Sequence, residues 1–149
     1  AMATAGFERG LMLRSPGRFQ ATAKRLVELF RAHEADASPA AREAVTRAWM
    51  DSQAYAYNTY AVAAKIMAGG SIGAEASLNK IFWSELDRAM NRTAMQLLGA
   101  AAELKQFTDG RTNDWLDGYI FSLSGPIYAG SNEIQRNIIA ERVLGLPRK

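Results

Sequence analysis

The 149-residue chain has no cysteine and one histidine, His33. Without thiols there is no disulfide framework and no thiolate chemistry, and a cytoplasmic protein is the expectation. One histidine and no H-E-x-x-H spacing leave a metal without a ligand set. His33 reads instead as a cation in the last turn of a helix, where the macrodipole favours it. The same scarcity excludes a Ser-His-Asp triad. No P-loop and no G-x-G-x-x-G occurs. No uncharged apolar run approaches the ~18 residues that suggest a membrane span, and no secretory leader is visible. Period-two alternation of useful length is missing too, which removes β architectures.

Charge of one sign is also scarce. The net charge is +3 and the pI about 9.4, but Lys and Arg are scattered among Asp and Glu without a basic block. That pattern describes an ordinary solvated surface and offers no nucleic-acid face.

What remains is helix. Phe7 to His33 carries helical spacing through Phe7, Leu11, Phe19, Ala23, Leu26, Val27 and Phe30. Ser15-Pro16-Gly17 interrupts it, so a kink or break is expected there. Ser38-Pro39 opens a second helix, serine as cap and proline in the first turn, and Gly69-Gly70 closes it. Val45, Trp49, Ala56, Tyr60, Ala63 and Met67 mark its expected buried face. At 1.5 Å per residue this rod is about 45 Å long, a length suited to a bundle.

A third helix follows Ser71–Gly73, with Leu78, Phe82, Leu86, Ala89, Thr93 and Leu97 on one face. Ile81, Trp83, Met90 and Leu98 widen that face beyond one stripe, so this helix should be covered on more than one side. Thr108 to Arg111 is a turn and Trp115 to Leu123 a shorter helix. The last stretch, Tyr128 to Pro147, has Ser131 as N-cap, Glu133 in the first turn, an apolar stripe of Ile134, Ile138, Ile139 and Val143, and Gly145 and Pro147 as its end. Ala129 and Gly130 form a turn with almost no side-chain bulk, open to a ligand at the backbone. The expected architecture is one all-α domain over 1–149, an up-and-down four-helix bundle with an additional C-terminal helix. Its breadth of apolar surface predicts association.

The stretch from Tyr128, Y-A-G-S-N-E-I-Q-R-N-I-I-A-E-R-V-L-G-L-P, resembles the C-terminal signature of the acyl-CoA dehydrogenase family, Y-[EG]-G-[TS]-x-E-I-Q-R-N-I-I-A-E-R-x-L-G-L-P. Gly73 to Glu85 is similar to the G-x-E-A-S-L-x-K-[IL]-F-W-S-E segment of a divergent actinobacterial-type branch. The resemblance runs from Thr4 to Arg148. The family's N-terminal helical and middle β domains have no counterpart, so the chain reads as the C-terminal part of a larger enzyme.

The resemblance implies an FAD-dependent oxidation of acyl-CoA to trans-2-enoyl-CoA, by α-proton abstraction and β-hydride transfer. It implies electron-transfer flavoprotein as acceptor and a homo- or hetero-oligomer. Most family members carry the catalytic glutamate just before the signature glycine, where this chain has Ala129. A minority carry it early in the first helix of this domain in an x-E-R context, and Phe7-Glu8-Arg9 matches that position. By residue type alone Glu8 is a solvated charge in a first turn; the resemblance makes it the base, with Arg9 and Gly130 on the substrate. It places Gln96, Leu97, Leu98, Gly99 and Ala100 along the adenine dinucleotide, and Ser131, Asn132 and Glu133 on FAD at a helix start. Ala100 replaces the family's second glycine there. The R-x-x-F-G-x-P-[IL] segment that reaches a neighbouring subunit's FAD is replaced by Arg31 to Asp36. Some members of this branch work as mixed-subunit assemblies with one silent subunit, so the alternative is a catalytically silent assembly subunit, with Ala129 marking a lost site.

Overall fold

A computed structural model describes residues 14–74 and 76–147, and these are all-helical apart from turns and one isolated bridge between Gln106 and Thr112. The helices are α1 (Pro16–Ala32), α2 (Pro39–Met67), α3 (Ala76–Leu98), α4 (Asp114–Ser122) and α5 (Asn132–Arg142), with a 3₁₀ turn over Gly99–Glu103 after α3.

Their ends follow from local chemistry. The break expected at Ser15-Pro16-Gly17 is a helix start: Pro16 is the first helical residue, where its missing N–H is no loss. The Ser38 hydroxyl accepts from the Ala41 N–H at 3.1 Å and caps α2. Gly69 closes that helix at φ +82°, with the Gly70 N–H returned to the Lys65 carbonyl. Asn113 caps α4 and also donates to the carbonyls of Ala102 and Leu104, tying the helix to the turn after α3. Ser131 caps α5, and Gly145 at φ +68° follows its end.

α3 packs against every other helix, and α1 also packs on α2. The core forms from Phe19, Ala23, Leu26 and Phe30 of α1, Val45, Ala48 and Tyr55 of α2, Trp83, Leu86, Met90 and Ala94 of α3, and Trp115 of α4. Phe19 meets the Tyr55 ring edge-on at 5.1 Å and stacks toward Trp83 at 6.4 Å.

Three buried faces differ from expectation. On α2 the covered positions are Val45, Ala48, Ser52, Tyr55, Ala56 and Thr59, while Trp49 is 43% and Met67 89% exposed and Tyr60 also lies outside. Small residues at 48, 52 and 56 let α1 and α3 come close, which turns the bulky side chains outward. On α3, Leu78 and Phe82 are exposed, and Trp83, Leu86 and Met90 are buried. On α5 the apolar stripe is not the buried side: Ile134 and Val143 are exposed, and the buried residues are Asn132 and Gln135. The reason is that α3 offers α5 a polar surface.

Candidate functional site

The turn before α5 is built on two left-handed residues, Ala129 at φ +58° and Gly130 at φ +86°. An L-residue in that region costs about 1–2 kcal/mol, so Ala129 is held there by its surroundings. The Gln135 amide, fully buried, donates to the Ala129 carbonyl at 3.1 Å. A Cβ on Gly130 would lie 2.7 Å from that amide nitrogen, so glycine is required twice over. Just before the turn, the Tyr128 hydroxyl accepts from Arg14 Nη2 at 2.8 Å. The Arg14 guanidinium lies over the Trp83 and Tyr128 rings, at 5.1 and 5.4 Å. The Arg14 carbonyl accepts from the Tyr55 hydroxyl at 2.9 Å. The first described residue is thus fixed against the turn.

The first turn of α5 rests on a polar seam of α3. Ser77, Lys80, Ser84, Asp87 and Asn91 recur at helical spacing and are all buried. Lys80 is 1% exposed, and its Nζ donates to Asn132 Oδ1 at 2.7 Å. Ser84 Oγ lies 3.2 Å from both ends of the Asn132 amide. Asn132 Nδ2 also donates to Glu85 Oε1 at 3.3 Å, and Arg136 donates to the same carboxylate oxygen at 2.5 Å. Burial pushes the Lys80 ammonium toward its neutral form, and the carboxylates of Glu133 and Glu85 oppose this. Further along the seam Asp87 pairs with Arg18 of α1 at 3.1 Å. Asn91 approaches α4 so closely that a Cβ on Gly118 would meet its Oδ1.

This seam was missed in the sequence because a lysine or serine on a helix reads as a solvated residue. Its signal was the recurrence of polar residues at 77, 80, 84, 87 and 91, the spacing of one helix face.

The other candidate residues sit elsewhere. Gln96 and Leu97 line a cleft of about 370 Å³ with His33, Asp36 and Ser38 of the α1–α2 turn. His33 Nδ1 is 3.0 Å from the Leu29 carbonyl, within its own helix end, in keeping with the structural role expected for it. Leu98 is half-buried, and Gly99 and Ala100 are exposed. Gly99 lies at φ +55° with open space where a Cβ would stand. From Ser84 to Gln96 is roughly 18 Å along α3 at 1.5 Å per residue, so the two proposed cofactor-contact groups lie toward opposite ends of one helix. Glu8 and Arg9 lie outside the described residues. Among the described residues no three His, Asp or Glu side chains gather as a metal site, and no helix is long and apolar enough to cross a membrane.

Residues 1–144 match the family model described as acyl-CoA dehydrogenase, C-terminal domain. The chain belongs to this family. Among curated relatives, acyl-CoA dehydrogenase IpdE1 of Mycobacterium tuberculosis is 40% identical, over all of this chain and 38% of its own length. IpdE1 of Mycolicibacterium smegmatis is 37% identical over all of the chain and 36% of its own length. The chain therefore spans less than two fifths of these relatives. Among solved structures, a steroid acyl-CoA dehydrogenase, Tcur3481-Tcur3483, superposes with a TM-score of 0.75 at 20% identity, over 90% of this chain and 35% of that one. The ChsE4-ChsE5 complex from Mycobacterium tuberculosis gives 0.73 at 25% identity, over 91% and 36%.

The acyl-CoA dehydrogenase family is generally FAD-dependent, and the residues fit the flavin in part. Gln96 and the open backbone at Gly99 offer an amide and close approach to a dinucleotide. At α5 the Glu133 side chain is 78% exposed and Ser131 half-buried, both within reach of a ligand. The Asn132 N–H, by contrast, donates to the Pro126 carbonyl at 2.8 Å, and its side chain is engaged by α3. Glu133 is held below the usual carboxylate range first by its own N–H and then by the Ser131 hydroxyl. It therefore occupies donors that an anionic ligand would use.

Proposed function

We propose that this chain is the C-terminal domain of an FAD-dependent acyl-CoA dehydrogenase that oxidises an acyl-CoA to its trans-2-enoyl-CoA. The observation that carries the reading is the anchoring of Arg14 on the Tyr128 side of the Ala129–Gly130 turn. Glu8 lies six positions before Arg14. Six residues span about 20 Å extended or 9 Å as helix, so the carboxylate missing at 129 can be supplied from position 8.

Glu8 takes the α-proton of the thioester and becomes the neutral acid. Exclusion of water raises its proton affinity toward working pH, and Arg9, which would oppose this, is engaged by the acyl-CoA. Gly130 lets the thioester approach the backbone. Ser131 and the Gln96–Ala100 segment would hold the flavin, Glu133 could meet it only as a hydrogen-bond acceptor, and Asn132, engaged by α3, fixes the helix start. FAD, when bound, supplies the two-electron acceptor for the β-hydrogen, and electron-transfer flavoprotein takes the electrons onward. Likeness to the ChsE4-ChsE5 complex supports assembly with a second dehydrogenase chain.

The test is Glu8→Gln in the full-length protein, with flavin content measured. A general base contributes about 10²–10⁴-fold, so turnover should fall by that range with flavin retained. Unchanged turnover would remove Glu8. It would favour the second reading, a silent assembly subunit, for which the side-chain-poor Ala129 at the family's usual base position speaks.

A further inference from the structure

We infer that Gln135 is a positioning residue for the acyl-CoA: by bonding the turn carbonyls from beneath, it aims the N–H groups of Ala129 and Gly130 at the thioester oxygen. The inference rests on the proposed approach of the thioester to this turn. Gln135 is one of two buried residues on α5, and its backbone N–H is bonded to the Ser131 carbonyl at 3.0 Å. Its Nε2 donates to the Ala129 carbonyl at 3.1 Å and reaches the Gly130 carbonyl at 3.5 Å. In a trans peptide the C=O and N–H point to opposite sides. With the Ala129 carbonyl turned onto the buried amide, the Gly130 N–H points away from it. Ala129 is left-handed at φ +58°, and successive N–H groups run roughly parallel through such a residue, so the Ala129 N–H points the same way. The turn is open there: Ala129 is exposed, and among the described residues neither N–H meets a backbone acceptor. Two donors on one exposed edge suit a single carbonyl oxygen that gains negative charge as the α-proton leaves.

The fold by itself does not call for this amide. Water can solvate the carbonyls of an exposed turn, and glycine at 129 would take a left-handed φ without a brace. An aliphatic residue at 135 would bury apolar surface in its place, yet the aliphatic neighbour, Ile134, is left exposed. What the amide adds is direction. Gln135 is 2% exposed, and α5 is pinned to α3 through Asn132, so the donor is fixed in place. The crowding at Gly130 comes from the same atom, since an added Cβ would stand 2.7 Å from Nε2. One amide nitrogen thus sets both residues of the turn.

The experiment uses the full-length protein, with flavin and helical content checked. The acyl-CoA that the parent oxidises fastest is chosen from straight-chain, branched and ring-bearing thioesters. Two probes of that chain are then titrated by calorimetry: its trans-2-enoyl-CoA, and the S-alkyl-CoA in which a CH₂ replaces the thioester carbonyl. Gln135→Met is close in size and has no donor for the turn. It should weaken the enoyl-CoA about tenfold, the worth of one hydrogen bond, and leave the S-alkyl-CoA within about twofold of the parent. A purely structural glutamine would shift both probes alike or neither, and either result overturns the inference. If Gln135→Met does not fold, Gln135→Leu is read with the same probes and the same criteria. In the parent the enoyl-CoA should bind about tenfold more tightly than the S-alkyl-CoA, and equal affinity overturns the inference without any variant. A parent that oxidises none of the thioesters overturns the acyl-CoA reading itself, which separates the two failures.

Discussion

Arg14 and Tyr128 stand 114 positions apart and share a hydrogen bond of 2.8 Å. This contact joins the start of the described chain to the turn that leads into α5. Its guanidinium also covers Trp83, so one side chain serves as donor and as cation over two rings. Tyr128→Phe keeps the ring contacts with Trp83 and Phe121 but removes the acceptor. It should cost about 1.5–3 kcal/mol, the range for a hydrogen bond to a charged group. Arg14→Ala loses the ring contacts as well and should cost about 1 kcal/mol more. Urea denaturation of the two variants gives the comparison, and equal losses would mean the stacking adds nothing.

Gly130 and Gly145 both sit at positive φ, yet only one is crowded. At Gly145 nothing lies within 4 Å of an added Cβ, so Gly145→Ala should cost only the backbone strain, about 1 kcal/mol. At Gly130 the Cβ would also push the Gln135 amide off the Ala129 carbonyl. Gly130→Ala should then cost roughly 2 kcal/mol or more. Thermal unfolding at matched conditions orders the two; the reverse order would refute the crowding.

Helix ends were legible in the sequence because capping is local: Ser38-Pro39, Gly69-Gly70, Ser131 and Gly145 act through neighbours a few residues away. The α1 face was legible as well, since Phe19, Ala23, Leu26 and Phe30 recur at helical spacing among polar residues. The α2 face was not. That helix is apolar over much of its circumference, and which side is covered depends on which partner approaches most closely. The small residues decide it, through Ala48, Ser52 and Ala56. The site divides in the same way. The small-residue turn at 129–130 was visible, but the burial of Lys80 was not, because only the docking of α5 removes it from water.

A pair of substitutions on α2 tests the corrected face. Ala48→Leu places extra atoms between α2 and its neighbours and should destabilise by about 1–3 kcal/mol. Trp49→Gln, on the side first expected to be buried, should cost clearly less, within about 1 kcal/mol. Chemical denaturation of both reports the phase of the helix directly. Comparable losses at 48 and 49 would return the tryptophan to the core.

Asp87 supplies a test in pH. Desolvation raises its pKa above the ordinary 3.8, while Arg18, Arg14 and Asn91 pull it down without cancelling the effect. The native state therefore holds this proton to higher pH than the unfolded chain does. Between the unfolded pKa and the raised native one, the native state binds more protons, so this group's contribution to stability falls as pH rises. Above the native pKa the loss is complete and constant. Asp87→Asn removes the titration and keeps an amide oxygen for the Asn91 side chain, which donates to Asp87 Oδ1 at 3.3 Å. Arg18, left without its carboxylate, is partly exposed and can turn to water. The stability of Asp87→Asn relative to the parent should accordingly improve from pH 3.5 to pH 7, read by urea denaturation across that range. A relative stability that worsens over the same range would show that the Arg18 ion pair outweighs the desolvation of the carboxylate.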